Sequence, residues 1–295
     1  MNQISRDSGF EEGPLAIICG GGSLPFAVAD AVTRRGRPAV LFALRGFADP
    51  ARVTGYRHYW MALGQRGWFR RVTEKEACRD VVLIGSVVRP ALRQIRLDLG
   101  TLLLLPKLVA MLRGGDDYVL SGLIRIMEED GFRVLGAHQV APDILMPQGV
   151  AGRYGPSQRD RDDIVRGRAM LAAMGAFDIG QAVVVADDHV LAIEAVEGTD
   201  EMLARIAELR RIGRIRAPTR TGVLVKAAKP GQDRRVDLPT IGPSTIEAAT
   251  RAGLAGIAVV AGETIIAEPE RVTQAADRAG LFVIGVPGPK PGGAS

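Results

Sequence analysis

Short apolar runs separated by amphipathic stretches recur along almost the whole chain. Leu15 to Cys19, Pro38 to Leu44 and Val81 to Val88 are near-continuous apolar runs of the length of a strand buried on both faces. Between the first two, Phe26, Val28, Ala29 and Val32 recur at helical spacing, and Arg66 to Ala77 supplies a helix before the third. Further helices are predicted near 101–113 and 117–129, with Phe132-Arg133-Val134-Leu135 as a last strand. This alternation predicts an α/β layer on three or four parallel strands, a Rossmann-like N-terminal domain over residues 1–140.

Ala141 to Pro156 keeps neither period and is dense in Pro and Gly, which predicts a linker over 141–156 about which two domains move. After it the pattern predicts a helix over 157–174, strands over 181–186 and 189–195, a helix over 199–211, the strand Gly222 to Val225, and a helix and short strands to Val286. These elements form a second α/β domain with a mixed sheet over 157–286. Asp187-Asp188 falls between two strands and reads as a hairpin turn. The small-residue tail 287–295 is expected to be disordered.

Charge narrows the ligand. Lys and Arg number 38 against 33 Asp and Glu, a net +5 that favours phosphorylated ligands, anionic membrane surfaces or nucleic acid. Only 5% of residues are aromatic, which argues against nucleic acid. Cys19 and Cys78 permit at most one disulfide, and Cys19 sits in a strand pattern, so a reducing, cytoplasmic setting is expected. The polar, acidic stretch Met1 to Gly13 is unlike a signal peptide. Leu102 to Leu112 is apolar but falls short of the ~20 residues a bilayer span needs; it reads as a core helix or as a greasy face for acyl chains. Arg66, Arg70, Arg71 and Arg79 read as the wet face of a helix or as a contact for an anionic surface.

Candidate chemistry concentrates in Lys226 to Thr245, where cations, Asp237, glycines and prolines lie between an apolar strand and a helix. Ser244-x-x-Glu247 reads as a capping box, so the loop ends on a positive helix dipole. An anionic oxygen there would meet Lys226, Lys229 and Arg235, while Asp237 would repel it unless it holds a metal ion or takes part in proton transfer; the bland reading is a solvated basic loop with a structural aspartate. Glu194 and Glu197 leave a strand just before a helix, where hard oxygen ligands for Mg²⁺ beside a phosphate are placed; Asp200 and Glu201 suit the first helical turn as caps. Gly20-Gly21-Gly22-Ser23-Leu24-Pro25 follows the first strand and opens a helix, serving either close backbone approach by a nucleotide or a purely steric crossing. It lacks the dinucleotide spacing, and no acidic residue closes the second strand, which disfavours a nicotinamide oxidoreductase. His58, His138 and His189 are scattered and receive no role.

Taken together, Gly20-Gly21-Gly22-x-Leu24-Pro25, Gly85-Ser86-Val87-Val88-Arg89-Pro90, Gly136-Ala137-His138-x-x-Ala141-Pro142-Asp143, Glu194-Ala195-Val196-Glu197-Gly198-Thr199-Asp200 and Lys226-x-x-Lys229-Pro230-Gly231-Gln232-Asp233-x-Arg235-Val236-Asp237-Leu238-Pro239-Thr240-Ile241-Gly242 resemble the LpxI-type UDP-2,3-diacylglucosamine pyrophosphatases of lipid A synthesis. The resemblance implies Mg²⁺-dependent hydrolysis of UDP-2,3-diacylglucosamine to UMP and 2,3-diacylglucosamine 1-phosphate (lipid X), with attack on the sugar-side phosphorus and the substrate held between two domains. It implies that Asp237 is essential. With the residue reading it assigns Asp237 and Lys226 as catalytic, and Asp237, Glu194 and Glu197 as Mg²⁺ ligands. Substrate contacts are assigned to Gly20, Gly21, Gly22, Ser23, Leu24, Thr199, Lys229, Gln232, Arg235 and Thr240. The expected setting is the cytoplasmic face of the inner membrane, peripherally bound to its anionic surface, with no nucleic-acid partner and a homo-oligomer left open. The alternative reading is a non-catalytic UDP-lipid binding or carrier protein, which Asp237 disfavours because a binder gains nothing from an anion facing a pyrophosphate.

Overall fold

The computed structural model describes residues 13–87, 96, 98, 101, 116–177, 179–229, 233–235 and 237–288. The chain divides into two compact units between Leu135 and Gly136.

In the first unit, β1 (Leu15–Cys19), β2 (Ala39–Leu44), β3 (His58–Met61), β4 (Asp80–Ile84) and β5 (Arg133–Val134) form an all-parallel sheet in the order β3-β2-β1-β4-β5. This is the doubly wound order expected of a Rossmann-like layer. The helices α1 (Leu24–Arg34), α2 (Pro50–Val53), α3 (Arg66–Lys75) and α4 (Asp116–Glu129) connect it. Leu15, Ile17, Leu41 and Phe42 have no exposure, which is why their strands read as unbroken apolar runs rather than as alternation. The strand β3 escapes a hydropathy reading because His-Tyr-Trp-Met is half polar; Tyr59 instead stacks on Phe42. Arg66 pairs with Asp130 and Arg70 with Glu74, so the two are tied within the unit.

At the carboxyl end of β1 the glycine run has a steric duty. A Cβ at Gly20 would lie 2.8 Å from the backbone of Gly85 and Ser86, and one at Gly21 would lie 2.8 Å from the Ser86 hydroxyl. Gly20 N donates to Ile84 O and Gly21 N to Ser86 O, so these amides are already engaged. Gly22 differs: it has φ of +88° and open space where a Cβ would stand, just ahead of α1.

The second unit contains α5 (Ala137–Val140), β6 (Gly149–Val150), α6 (Gln158–Met174), β7 (Ala182–Ala186), β8 (His189–Ile193), α7 (Gly198–Arg211), β9 (Val223–Lys226), β10 (Thr240–Ile241), α8 (Pro243–Arg251), β11 (Gly256–Val260), β12 (Ile265–Ile266), α9 (Pro269–Ala279) and β13 (Phe282–Val286). Six strands make a mixed sheet in the order β6-β13-β11-β9-β7-β8, with β9, β11 and β13 parallel; β10 and β12 pair separately. Residues 142–150 of the expected linker belong to this unit. Pro142–Ile144 makes one 3-10 turn, Ile144 and Met146 are buried, and β6 pairs with β13. Its prolines and glycines hide these inward-facing side chains from a periodicity reading.

The period of two along β9 sets the direction of its last side chain. Val223 and Val225 face α6, packing with Ile164 and Leu171, whereas Leu224 faces the opposite core formed with Leu203 and Ile206 of α7 and Ile246 of α8. Lys226 has the parity of Leu224 and is therefore directed under α7 and α8. Asp187 and Asp188, with φ of +54° and +66°, form the tip of the β7–β8 hairpin, and their amides donate to the buried Asp163 carboxylate.

Of the sequence expectations, Gln232, the apolar segment 102–112 and residues 289–295 of the tail lie outside the described residues.

Candidate active site

The strand β9 ends on Lys226, which is 7% exposed. Its Nζ donates to Thr199 Oγ1 at 2.9 Å and to the carbonyl of Thr240 at 3.2 Å. Thr199 stands in the first turn of α7 and Thr240 opens β10, so three separate elements meet at one ammonium. The Thr199 hydroxyl passes the polarity on, donating to Glu194 Oε1 at 2.7 Å. Glu194 Oε2 accepts from the backbone N of Gln181 at 2.8 Å, and the Gln181 side chain donates from Nε2 to Asp237 Oδ2 at 3.0 Å. A continuous hydrogen-bonded path thus runs from Lys226 through Thr199, Glu194 and Gln181 to Asp237.

Burial pushes the Lys226 pKa below its ordinary value, and the negative charges of Glu194, Asp200 and Asp237 partly offset the shift. The partners of the ammonium among the described residues are a hydroxyl and a carbonyl, not a carboxylate. A cation held by neutral groups keeps most of its field for an incoming anion.

The loop that carries Asp237 is organised from within. Asp237 N donates to Asp233 O at 3.3 Å, and the Asp233 carboxylate accepts from Arg235 N at 3.0 Å and from its Nη2 at 2.7 Å. Those bonds hold the Asp233 carboxyl below its usual pKa. Arg234 pairs with Glu263 at 2.9 Å, and Lys229 is half-buried at the other end of the loop. The helix after the loop begins at Pro243, and the Thr245 hydroxyl accepts from Gly242 N, in place of the capping box expected between Ser244 and Glu247. A Pro already fixed in the first turn moves the cap earlier.

The structure therefore brings together Lys226, Thr199, Thr240, Glu194 and Asp237 of the sequence assignments. Gly20, Gly21, Gly22, Ser23 and Leu24 belong to the first unit, at the β1–α1 turn. Glu197, the residue before α7, is directed to Arg205 at 3.1 Å. Gln181 was missed: it precedes an apolar strand and belongs to no motif, and only the fold shows its backbone N–H donating to Glu194 and its side-chain amide to Asp237.

Among the described residues no group of three or more His, Cys, Asp or Glu side chains is arranged to hold a metal ion. Mg²⁺ commonly needs only one or two carboxylates plus substrate phosphates and water. The all-oxygen donor set of Asp237 with Glu194 nearby fits that mode. Glu194 accepts from Thr199 and Gln181 and Asp237 accepts from Gln181, and these two carboxylates are the residues that would hold the cation.

A two-unit α/β fold whose second unit ends a parallel strand on a buried lysine, facing an aspartate-bearing basic loop, describes a phosphate-handling protein. Residues 14–144 match the family model for the LpxI N-terminal domain and residues 147–284 that for the LpxI C-terminal domain. The chain is 42% identical over 272 residues to the UDP-2,3-diacylglucosamine pyrophosphatase LpxI of Caulobacter vibrioides, covering 92% of this chain and 97% of that protein. It belongs to the LpxI family. A UDP-glucose-4-epimerase from Stenotrophomonas maltophila with bound NAD and formylated UDP-arabinopyranose aligns over 92% of this chain and 93% of its own, at 13% identity and a TM-score of 0.28, too low to carry any argument.

Proposed function

We propose that this chain hydrolyses the pyrophosphate bond of UDP-2,3-diacylglucosamine, giving UMP and 2,3-diacylglucosamine 1-phosphate for lipid A synthesis. The observation that carries the reading is the hydrogen-bonded path joining Lys226 to Asp237, in a family whose Caulobacter relative bears that activity in its name. Lys226, with Lys229 and Arg235 of the same loop, neutralises charge that builds on the departing nucleotide phosphate. Such charge stabilisation is strongest where water is excluded, as it is around Lys226. Asp237 orients the attacking water, and Gln181 fixes the carboxylate's direction through Oδ2. Asp237 would hold Mg²⁺, which would supply Lewis-acid polarisation of the pyrophosphate. The turn at Gly22, Ser23 and Leu24 contributes nucleotide contacts, and the basic balance of the chain favours an anionic membrane surface on which a diacylated substrate is presented.

The test is direct: purified chain, UDP-2,3-diacylglucosamine and Mg²⁺ are incubated and UMP is measured. UMP release that stops after exhaustive chelation is the expected result. Release of no UMP, or turnover undiminished by chelation, would overturn the reaction or its metal requirement respectively.

A further inference from the structure

Four arginines line one cavity at the end of the second unit's sheet remote from Lys226. The cavity, of about 480 Å³, opens ahead of β9 between Arg210 and Arg211 in the last turn of α7, Arg251 in that of α8, and Arg220 in the loop leading to β9. Its walls include the buried Leu254 and Leu281, and among the described residues no aspartate or glutamate lines it. The strand β9 runs four residues from this end to Lys226, so about 10 Å of strand separates the cavity from the candidate active site. Structural duties account for part of the cluster. Arg210 pins the loop, its Nη1 and Nη2 donating to the carbonyls of Ala217 and Thr221 at 2.6 Å and 2.8 Å, and Glu208 grips Arg211 through two bonds of 2.6 Å. Arg220 Nη2 reaches the last carbonyl of α9, Ala279 O, at 3.4 Å. Arg251 has no such duty: its side chain makes no hydrogen bond or ion pair among the described residues, and α8 is closed by backbone bonds from Ala252 to Ala248 and from Gly253 to Thr250.

Two of the four side chains are seated on glycines. Gly280 closes α9 with φ of +66°, and a Cβ there would lie 3.1 Å and 3.2 Å from Arg220 Nη1 and Nη2. Gly253, with φ of +67°, leaves room in the same way for Arg210, whose Cδ and Nε would lie 3.5 Å and 3.6 Å from its Cβ. Arg220 itself has φ of +62°, a left-handed conformation that disfavours a residue with a Cβ and that recurs at functional sites. A long side chain already held over a glycine loses less freedom when it meets a ligand. We propose that this cavity binds a small phosphate monoester, its phosphate meeting Arg220 and Arg251 and its remainder lying against Leu254 and Leu281. Planar guanidiniums match phosphate oxygens in pairs, and the volume is that of a small-molecule site. The role of the cavity stands apart from the hydrolytic reading.

The probe is glycerol 3-phosphate, with chloride at equal ionic strength as its control, and hydrogen exchange read by mass spectrometry reports binding segment by segment without any turnover. In the wild-type chain the ester should slow exchange in segments 207–221 and 250–254, and chloride should not. Segment 226–240 is scored separately, because the candidate active site also receives phosphate. Arg251→Gln breaks no bond among the described residues, so its melting temperature should match the wild type while the ester binds the two segments at least about 10-fold more weakly. Arg220→Gly removes the second guanidinium and suits the left-handed backbone; combined with Arg251→Gln it should abolish protection of both segments and leave the response of 226–240 in place. No protection of 207–221 and 250–254, equal protection by chloride, or wild-type affinity in Arg251→Gln would overturn the proposal. Phosphatidylglycerol vesicles that protect these segments where the soluble ester does not would overturn it as well, giving the arginines to a membrane surface. If the double variant does not fold, Arg251→Gln decides alone.

Discussion

Asp80 and Lys226 are both strand residues with almost no exposure, 4% and 7%, yet their surroundings differ in kind. In the first unit Asp80 receives Arg37 at 2.5 Å and a two-pronged Arg133 at 2.7 Å to each oxygen. Burial alone would raise its pKa; the bonds from Arg133 and Arg37 outweigh it and hold the carboxyl below its ordinary value. In the second unit the partners of Lys226 among the described residues are a hydroxyl and a carbonyl, with the Glu194 carboxylate one bond further away, and burial lowers its pKa. A buried charge satisfied by matched opposite charges is a finished structural joint. One whose partners among the described residues are neutral keeps its field available to an incoming anion, a difference that burial alone does not reveal.

The contrast can be broken at either end. The largest effect is expected from Asp237→Ala, which should lower turnover by at least about 100-fold while the melting temperature stays near wild type. Because the change also removes repulsion of a bound pyrophosphate, the variant should bind substrate at least as tightly as the wild type, which equilibrium binding will show. A variant that melts far lower but keeps its rate per folded molecule would reduce Asp237 to a structural role. Lys226→Met comes next, with a similar loss of rate but a stability within about 1 kcal/mol of wild type or above it, since an apolar side chain of like shape replaces a desolvated charge. Below its ordinary value of 10.5 the folded Lys226 gives up its proton before the unfolded one does. Wild-type stability should therefore rise with pH through that window relative to Lys226→Met, as urea titrations at several pH values will report.

Asp80→Asn should do the reverse. Loss of its pairing costs about 3 kcal/mol of stability and leaves the rate per folded molecule unchanged. Its folded pKa lies below 3.8, so the stability gap between wild type and variant should be full above that value and close as pH falls through the folded pKa. The smallest effect belongs to Glu197→Gln. Its partner Arg205 is half exposed, and such a pair contributes less than about 1 kcal/mol. A drop in turnover beyond about 10-fold, recovered by raising Mg²⁺, would instead make Glu197 a ligand of the cation.

The sheets were legible because strands buried on both faces are written as apolar runs, and β1, β2, β7 and β9 fall where those runs predict. The elements β3 and β6 were not, since one is half polar and the other is two residues long in a stretch rich in proline and glycine. At the site, charge in a loop of fixed shape pointed to Lys226 and Asp237. Gln181, whose side chain donates to the Asp237 carboxylate, carries no pattern of its own: an amide before a strand acquires meaning only from what the fold sets against it. The glycine run illustrates the converse, a conspicuous motif of which two residues, Gly20 and Gly21, answer to crowding by Gly85 and Ser86.

The two thiols of the chain, Cys19 and Cys78, are both buried and unpaired, and burial pushes each pKa up to about 11. At neutral pH only about one such thiol in ten thousand is ionised, and the ionised form is the reactive one. The native chain is therefore a ready blank for site-directed labelling: a cysteine placed at an exposed position such as Arg234 would take up a maleimide or a spin probe long before either native thiol, with no need to remove them first.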